Sequence, residues 1–512
     1  MDKPIISFND IFREIKTLKA KKCNINDISA SIVKENAHLL AFPLSFLFNQ
    51  SLNQSKFPSQ LKSARVTPIY KKGCKSTMGN YRPISILSIF SKIFEKIMKT
   101  YVVKFLDDHN VLTKHQFGFQ KGKSTQDALI EFSSKLYNEI DNSNHALSIF
   151  IDFSKAFDTV PHDILVKKLE FYGIRGNLNK WFSDYLSNRS QKTIIGNSLS
   201  RQDFIYLGVP QGSVLGPLLF LIFINDLPNV SDLFYTILFA DDATLSLYGP
   251  DQISLVHTAN TELDKFYYWC LANRLSVNVI KTSFIIFSTK PILNLPPLVI
   301  KSNFTFELIK RVNEIKFLGV HYDHKLTFKY HINYLTQRLA RTCALIYRVR
   351  ELMPTFVLKN MFHAHVGSVI NYCNIIWANT FPTNLQPLKL ILKRIIRNVS
   401  HSEFLAHTAP IYKRMKILDL ECTRKLSLAL YFHKTQEINI PPLLPNHNHN
   451  TRHRDRLRPP LHRLTLYHNS FLYQAPQFWN TICHDFPIAI KNSPNANIFK
   501  TRLKKHLLLL LD

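Results

Sequence analysis

Three things are scarce in this sequence, and each scarcity excludes something. Glycine occurs only 13 times in 512 residues, 11 of them lie between Gly73 and Gly249, and none follows Gly367. Glycine serves tight turns and close backbone approach to a ligand, so its concentration marks where the chain bends around something. The seven cysteines stand singly with no CxxC pair, which excludes a disulfide framework and a cysteine-based zinc finger and points to a reducing compartment. No long apolar run is present. The most apolar one, Val214 to Leu227, is broken by Gly216 and Pro217 and contains Asn225 and Asp226, so it reads as a buried helix and not a membrane span. The start MDKPIISFND lacks the build of a secretion signal. Acidic residues are also few: 36 Asp and Glu face 65 Lys and Arg, a net charge of +29. With 46% hydrophobic and 12% aromatic residues the chain is no disordered basic tail. So large an excess on a folding chain implies a polyanion partner, nucleic acid ahead of an acidic membrane.

What is present divides the chain by pattern. Residues 1 to 60 read as helices, with Ile11, Ile15 and Leu18 at helical spacing. RVTPIY (Arg65–Tyr70) reads as a strand and Ile84–Leu106 as a helix. Ala146–Phe153 reads as a buried strand, and Leu233–Leu247 as a hairpin with Asp241 and Asp242 at its tip. Val277–Phe287 and Ile315–His321 read as further strands, with helices near Asp163–Tyr172 and Leu215–Ile224. This mixture predicts an α+β fold in which helices lie behind one antiparallel sheet. Past residue 330 the chain reads as helical, with Ile332, Leu335, Leu339, Cys343 and Ile346 on one face. A later helix, Leu385–Val399, carries Lys389, Lys393 and Arg397 at i, i+4 spacing. The expected organisation is a helical extension (1–60), a main unit (61–330), a helical region (331–400) and a basic C-terminal region (401–512).

The candidate chemistry lies where apolar strands end in acids. Asp152 closes IFID, and Asp241-Asp242 sit in FADD. Carboxylates beside buried strands are costly unless paired, hydrogen-bonded or bound to a cation. Three together would suit two hard divalent ions about 3.5–4 Å apart in a phosphoryl transfer. FADD alone reads equally well as ordinary strand-end and turn aspartates. Between the acidic sites lies GVPQGSVLG, with Gly208, Gly212 and Gly216 around the polar Gln211, a loop suited to holding a nucleotide or template base. Lys71, Lys72 and Arg82 upstream could grip triphosphate oxygens, and Lys281 follows the hairpin.

In order, RVTPIYKKG with NYRPIS, HQFGFQKGKSTQDAL, IFIDFSKAFDTVPH, GVPQGSVLGPLLFLIFINDL, FADDATL, NRLSVNVIKT and FLGV span roughly Arg65 to Tyr330. This series resembles the reverse transcriptase domain of non-LTR (LINE-type, jockey-like) retrotransposons. The resemblance implies a right-hand polymerase of fingers, palm and thumb, with an antiparallel palm sheet backed by helices and a helical, basic C-terminal region. It implies an RNA template, a DNA primer or target, dNTPs, and two Mg²⁺ ions for which Mn²⁺ can substitute. It implies that Asp152, Asp241 and Asp242 are metal-binding carboxylates, with the backbone carbonyl of Phe153 as a further ligand. It implies that Lys71, Lys72 and Arg82 lie near the triphosphate, that Gln211 and Gly212 lie beside the incoming nucleotide, and that Lys281 protonates the pyrophosphate leaving group. Viral RNA-copying RNA polymerases have a similar palm but place an aspartate, able to bond a ribose 2′-hydroxyl, where this chain has Phe157. A phenyl ring fills that space, so Phe157 reads as a gate admitting deoxynucleotides.

The terminal APQFWN (Ala475–Asn480) and the helix after it also resemble this family. The His-bearing stretch near His447–His453 reads as a basic, RNA-touching segment rather than a metal site, since no Cys or acid cluster accompanies it. Such elements usually carry an endonuclease ahead of the polymerase, whereas this chain begins almost directly at the fingers, with no CCHC knuckle and nothing resembling RNase H. The expectation is therefore a polymerase-bearing part of a mobile element, performing target-primed reverse transcription within a ribonucleoprotein of nucleus and cytoplasm, with no membrane partner. The competing reading is a catalytically silent nucleic-acid-binding remnant. The oligomeric state is left open.

Overall fold

The computed structural model describes residues 1, 3–19, 28–302, 305–436, 457–491, 493 and 495–511. The His447–His453 stretch and Cys23 lie outside the described residues. Among the described residues, no helix is long and apolar enough to cross a membrane.

A five-stranded sheet organises the middle of the chain, in the order Lys310–Arg311, Ser283–Phe287, His145–Ile151, Asp242–Gly249, Tyr235–Phe239. Its pairs are antiparallel except at one edge, where Lys310–Arg311 runs parallel to Ser283–Phe284. The central strand, HALSIFI, is apolar on both faces, as a strand covered on both sides must be. Its side chains alternate. Leu147, Ile149 and Ile151 enter one hydrophobic core with Leu255, Val256, Ala259 and Leu263 of the Gln252–Ala272 helix. Ala146 and Phe150 enter the other with Leu129, Phe132 and Leu136 of the Thr125–Asp141 helix. The sheet is thus sandwiched between helices, whereas the sequence pattern predicts helices behind it on one side. The pattern missed this because periodicity identifies an apolar face but does not say how many faces are covered.

A smaller sheet holds Ser63–Tyr70 between Tyr81–Ile86, antiparallel, and Arg189–Ile195, parallel, with the short strands Ser198–Leu199 and Asp203–Ile205 beyond. YRPISI is therefore a strand, and the expected helix from Ile84 begins only at Ile89. Two prolines are tolerated here because Pro68 and Pro83 face each other beyond Val66, the last residue paired to the Arg189–Ile195 strand. Two other expected strands are shorter or split. Ser283–Phe287 is the strand and Val277 contributes only a single bridge to Phe153. Glu314–Phe317 and Val320–Asp323 form a hairpin where one strand is expected.

Beyond these sheets, Lys329–Val349 packs on Pro382–Val399, and the predicted face Ile332, Leu335, Leu339, Cys343 and Ile346 is buried. The Leu420–Gln436, Phe471–Asp485 and Ala496–Leu509 helices share a core with the Thr125–Asp141 helix. Asp141 accepts hydrogen bonds from the Arg463 and Leu464 amides at 2.8–3.0 Å, and the Tyr431 hydroxyl donates to Asp127 at 2.7 Å. Within APQFWN, Asn480 brackets Leu457 by accepting from its amide and donating to its carbonyl, and Trp479 packs on Phe432.

Candidate active site

Strand pairing brings the three aspartates to one end of the five-stranded sheet. Ile151 pairs with Ala243, so Asp152 lies one residue beyond, across from Asp242. Phe239 pairs with Asp242, leaving Ala240-Asp241 as a two-residue hairpin tip. Asp241 is thus at the tip and Asp242 opens the return strand. Ala240 holds the left-handed conformation at φ 56°, costly for a residue with a Cβ. Asp241 and Asp242 both reach solvent, but neighbouring atoms displace part of the hydration of their carboxylates. That desolvation, then Asp241 and Asp152, pushes the Asp242 carboxyl up to about 6. Asp241 is likewise raised, by desolvation and by Asp152, while Arg82 and Lys71 oppose the shift. A carboxyl raised in the folded state stabilises the protein fully below its unfolded value and loses that contribution as pH rises through its folded value. In EDTA, Asp242→Asn is therefore expected to gain stability relative to wild type as pH rises from about 4 to about 6. Chemical denaturation across this window measures it, and a pH-independent difference would contradict the clustering.

The positive groups come from the smaller sheet and a loop. Arg82 pairs with Ile69, and Lys71 follows the strand, its amide donating to Asn80 at 2.9 Å. Both cations act on Asp241, and Lys71 acts on Asp242 as well. Lys72 is exposed on the same loop and is not among the charges acting on them. Lys281 Nζ lies 3.3 Å from Asp152 Oδ2. Its loop is zipped to the strand end, since the Asn278 amide donates to the Asp152 carbonyl at 2.7 Å and the Asp152 amide to Thr282 Oγ1 at 3.3 Å. Phe153 sends its ring into the core beside Phe266, which leaves only its backbone toward the site. Among the described residues, no group of three or more His, Cys, Asp or Glu side chains is placed to hold a metal ion as it stands.

The glycine loop is bonded both to the segment after the central strand and to the smaller sheet. The Val209 amide donates to the Phe157 carbonyl at 2.8 Å, and the Ser85 amide donates to the Gln211 carbonyl at 2.7 Å. Gly212, at φ 118°, lies so close to this strand that a Cβ would sit 2.4 Å from the Ser85 carbonyl oxygen. Gln211 Nε2 donates to Asp158 Oδ1 at 2.8 Å. Phe157 stacks on Phe220 of the Gly216–Ile224 helix, centroids 4.3 Å apart, with Phe119 edge-on at 6.3 Å.

Two residues that sequence reasoning passes over organise this loop. Asp158, half-buried and raised by burial, orients Gln211; in the sequence it is overshadowed by its neighbour Phe157. Glu95 is buried, with a carboxyl raised by desolvation and opposed by Arg189. It accepts from the Val214 amide at 2.6 Å, the Tyr185 hydroxyl at 3.1 Å and Ser91 Oγ at 3.1 Å, so it ties the loop to the Ile89–Asp108 helix. A lone acid among Ile93, Phe94, Ile97 and Met98 is the signal the sequence offers for it. Glu95→Ala leaves these donors without their acceptor and the buried Arg189 without its counter-charge, and is expected to cost about 3–5 kcal/mol in denaturant unfolding.

With this geometry in view, residues 69–322 match the family described as reverse transcriptase (RNA-dependent DNA polymerase), and this segment is a reverse transcriptase domain. The chain is 27% identical over 437 residues to the "Probable RNA-directed DNA polymerase from transposon BS" of Drosophila melanogaster, covering 81% of this chain and 47% of that protein. It is 25% identical over 388 residues to the "RNA-directed DNA polymerase from mobile element jockey" of the same organism, covering 73% and 41%. The chain thus spans about half the length of these relatives. A solved telomerase from Candida albicans, in complex with a fragment of telomeric RNA, has 12% identity and a TM-score of 0.37, covering 73% of this chain and 70% of that one.

Proposed function

We propose that this chain is an RNA-directed DNA polymerase that extends a DNA primer on an RNA template, and that it serves a non-LTR element by target-primed copying. One observation carries the reading: Asp152, Asp241 and Asp242 converge at one sheet end, with Lys71 and Arg82 close enough to act on Asp241 and Lys281 on Asp152. In this reading the five-stranded sheet is the palm, the smaller sheet the fingers and the Lys329–Val399 helices the thumb. The charge of +29 then lines a template–primer cleft, where released counterions favour binding.

The aspartates fit hard divalent cations: they are oxygen donors of like charge, and desolvation, then Asp241 and Asp152, already raises Asp242. Bound Mg²⁺, or Mn²⁺ in its place, would supply Lewis acidity toward the phosphates and the primer hydroxyl. Asp152, Asp241 and Asp242 would hold such ions, with the Phe153 carbonyl as a further donor. Lys71, Lys72 and Arg82 bind the triphosphate oxygens of the dNTP. Gln211, oriented by Asp158, and the backbone at Gly212 border the nucleotide. Phe157 excludes a 2′-hydroxyl. As the primer hydroxyl gives up its proton to water and its oxygen bonds the α-phosphorus, the bond to the bridging oxygen breaks and Lys281 gives a proton to the departing pyrophosphate. The site of action is a ribonucleoprotein of nucleus and cytoplasm.

Primer extension on an RNA template, with dNTPs set against NTPs, tests this. Extension with dNTPs is the expected result. Salt-dependent RNA binding without extension on any template would instead indicate a silent remnant.

A further inference from the structure

The segment HQFGF carries a contact that the proposed chemistry leaves unused. Residues 115–119 lie along the outer edge of the Tyr235–Phe239 strand: Gln116 bridges Leu238 in parallel, the Phe117 amide donates to the Leu238 carbonyl at 2.8 Å, and the Leu238 amide donates to the His115 carbonyl at 2.9 Å. This edge pairing delivers the Gln116 side chain, in a residue only 2% exposed, to the base of the aspartate hairpin. There Oε1 accepts from the Ala240 amide at 3.0 Å and from the Gly118 amide at 2.8 Å. Among the described residues Nε2 has no partner, so the side chain works here as an acceptor alone.

The contact falls at the one strained residue of the hairpin tip. Ala240 holds φ 56°, and among the described residues its amide finds its acceptor in Gln116 and not within the two-residue turn. A buried amide that loses its acceptor is costly, so the turn would move to find another. Gly118 closes the remaining space: a Cβ there would sit 2.3 Å from the Ala240 nitrogen. The segment is itself pinned, because Lys123 Nζ donates to the carbonyls of Gln116 at 2.7 Å and Lys114 at 3.0 Å while lying over the Phe117 ring. Asp241 follows Ala240 directly and Asp242 follows Asp241. A small rotation at the Ala240 peptide therefore swings both carboxylates.

We propose that Gln116 is a positioning residue for the aspartate hairpin: its carboxamide oxygen locks the Ala240 turn and so sets the direction of Asp241 and Asp242. The inference rests on the polymerase reading for its catalytic consequence, but its geometric content can be tested without catalysis.

The experiment compares wild type, Gln116→Met, which keeps length but loses the acceptor, and Gln116→Glu, which keeps an oxygen. Hydrogen exchange follows the peptide spanning Ala240, with the central His145–Ile151 strand as internal reference. Mn²⁺ alone is titrated calorimetrically against each protein without nucleic acid. In Gln116→Met, the hairpin amides are expected to exchange faster while the central strand stays protected, and Mn²⁺ affinity is expected to fall about 10-fold. The single-turnover extension rate is expected to fall about 10- to 100-fold with dNTP affinity unchanged. Gln116→Glu is expected to restore hairpin protection. Unaltered hairpin exchange and Mn²⁺ binding in Gln116→Met would overturn the proposal, and so would loss of protection across the whole sheet. If wild type extends no primer, the exchange and Mn²⁺ results still decide the positioning role, so its failure is distinguishable from failure of the polymerase reading.

Discussion

Asp241→Asn is expected to lower primer extension by about 10³-fold or more, with the fold intact. The size follows from charge: a site whose purpose is to stabilise phosphoryl transfer through carboxylate-held cations loses about 4 kcal/mol or more when one anionic ligand becomes neutral. The intact fold follows from position. Asp241 is at the hairpin tip, outside the paired residues, and its carboxyl is raised by desolvation and by Asp152, so removing the charge relieves repulsion. Melting in EDTA should accordingly show the variant at least as stable as wild type. Extension and melting measured on one preparation separate the two effects. Extension near the wild-type rate in this variant would end the assignment of the aspartates.

Phe157→Val is expected to raise ribonucleotide incorporation relative to deoxynucleotide incorporation by about 10²-fold, equivalent to relieving the 1–3 kcal/mol overpacking that an added hydroxyl would cause. The ring is not free to swing aside. It stacks on Phe220 at 4.3 Å with an interplanar angle of 24° and has Phe119 against its edge, and its backbone carbonyl is bonded to Val209. A wall held on several sides can discriminate by shape, whereas a mobile side chain would yield. Valine keeps a branched apolar body against Phe220 while withdrawing the outer part of the ring, at a stability cost of about 1–2 kcal/mol. Single-nucleotide insertion with dNTP and NTP at matched template positions measures the ratio. An unchanged ratio would make Phe157 a packing residue only.

Both variants concern residues that are legible in the amino-acid sequence alone. Asp152 and Asp241-Asp242 stand out as charges at the ends of apolar strands, and register then sets Asp152 one residue past the Ile151–Ala243 pair. Strand ends are written in local pattern because each residue's hydropathy and β-branching act within a few residues. The Tyr81–Ile86 strand is not legible in this way, since its proline and short apolar alternation resemble a loop leading into a helix; only the partner strand Ser63–Tyr70 makes it a strand. Lys281 is visible as a lysine after a hairpin, but its 3.3 Å approach to Asp152 depends on the Asn278–Asp152 backbone bond.

The sequence by itself determined the kinds of chemistry available here: three carboxylates at strand ends, a glycine loop beside them, cations ahead of and behind them, and an excess of positive charge over the whole chain. Tertiary structure alone decided which of these meet and how they are held. Glu95 reaches Val214 across 119 positions, Gln116 reaches Ala240 across 124, and Asp141 reaches Arg463 across 322. Such contacts leave no periodicity in the chain. A buried donor needs an acceptor, and which residue supplies it depends on how the helices and sheets pack against one another, a global property that no local window of sequence contains.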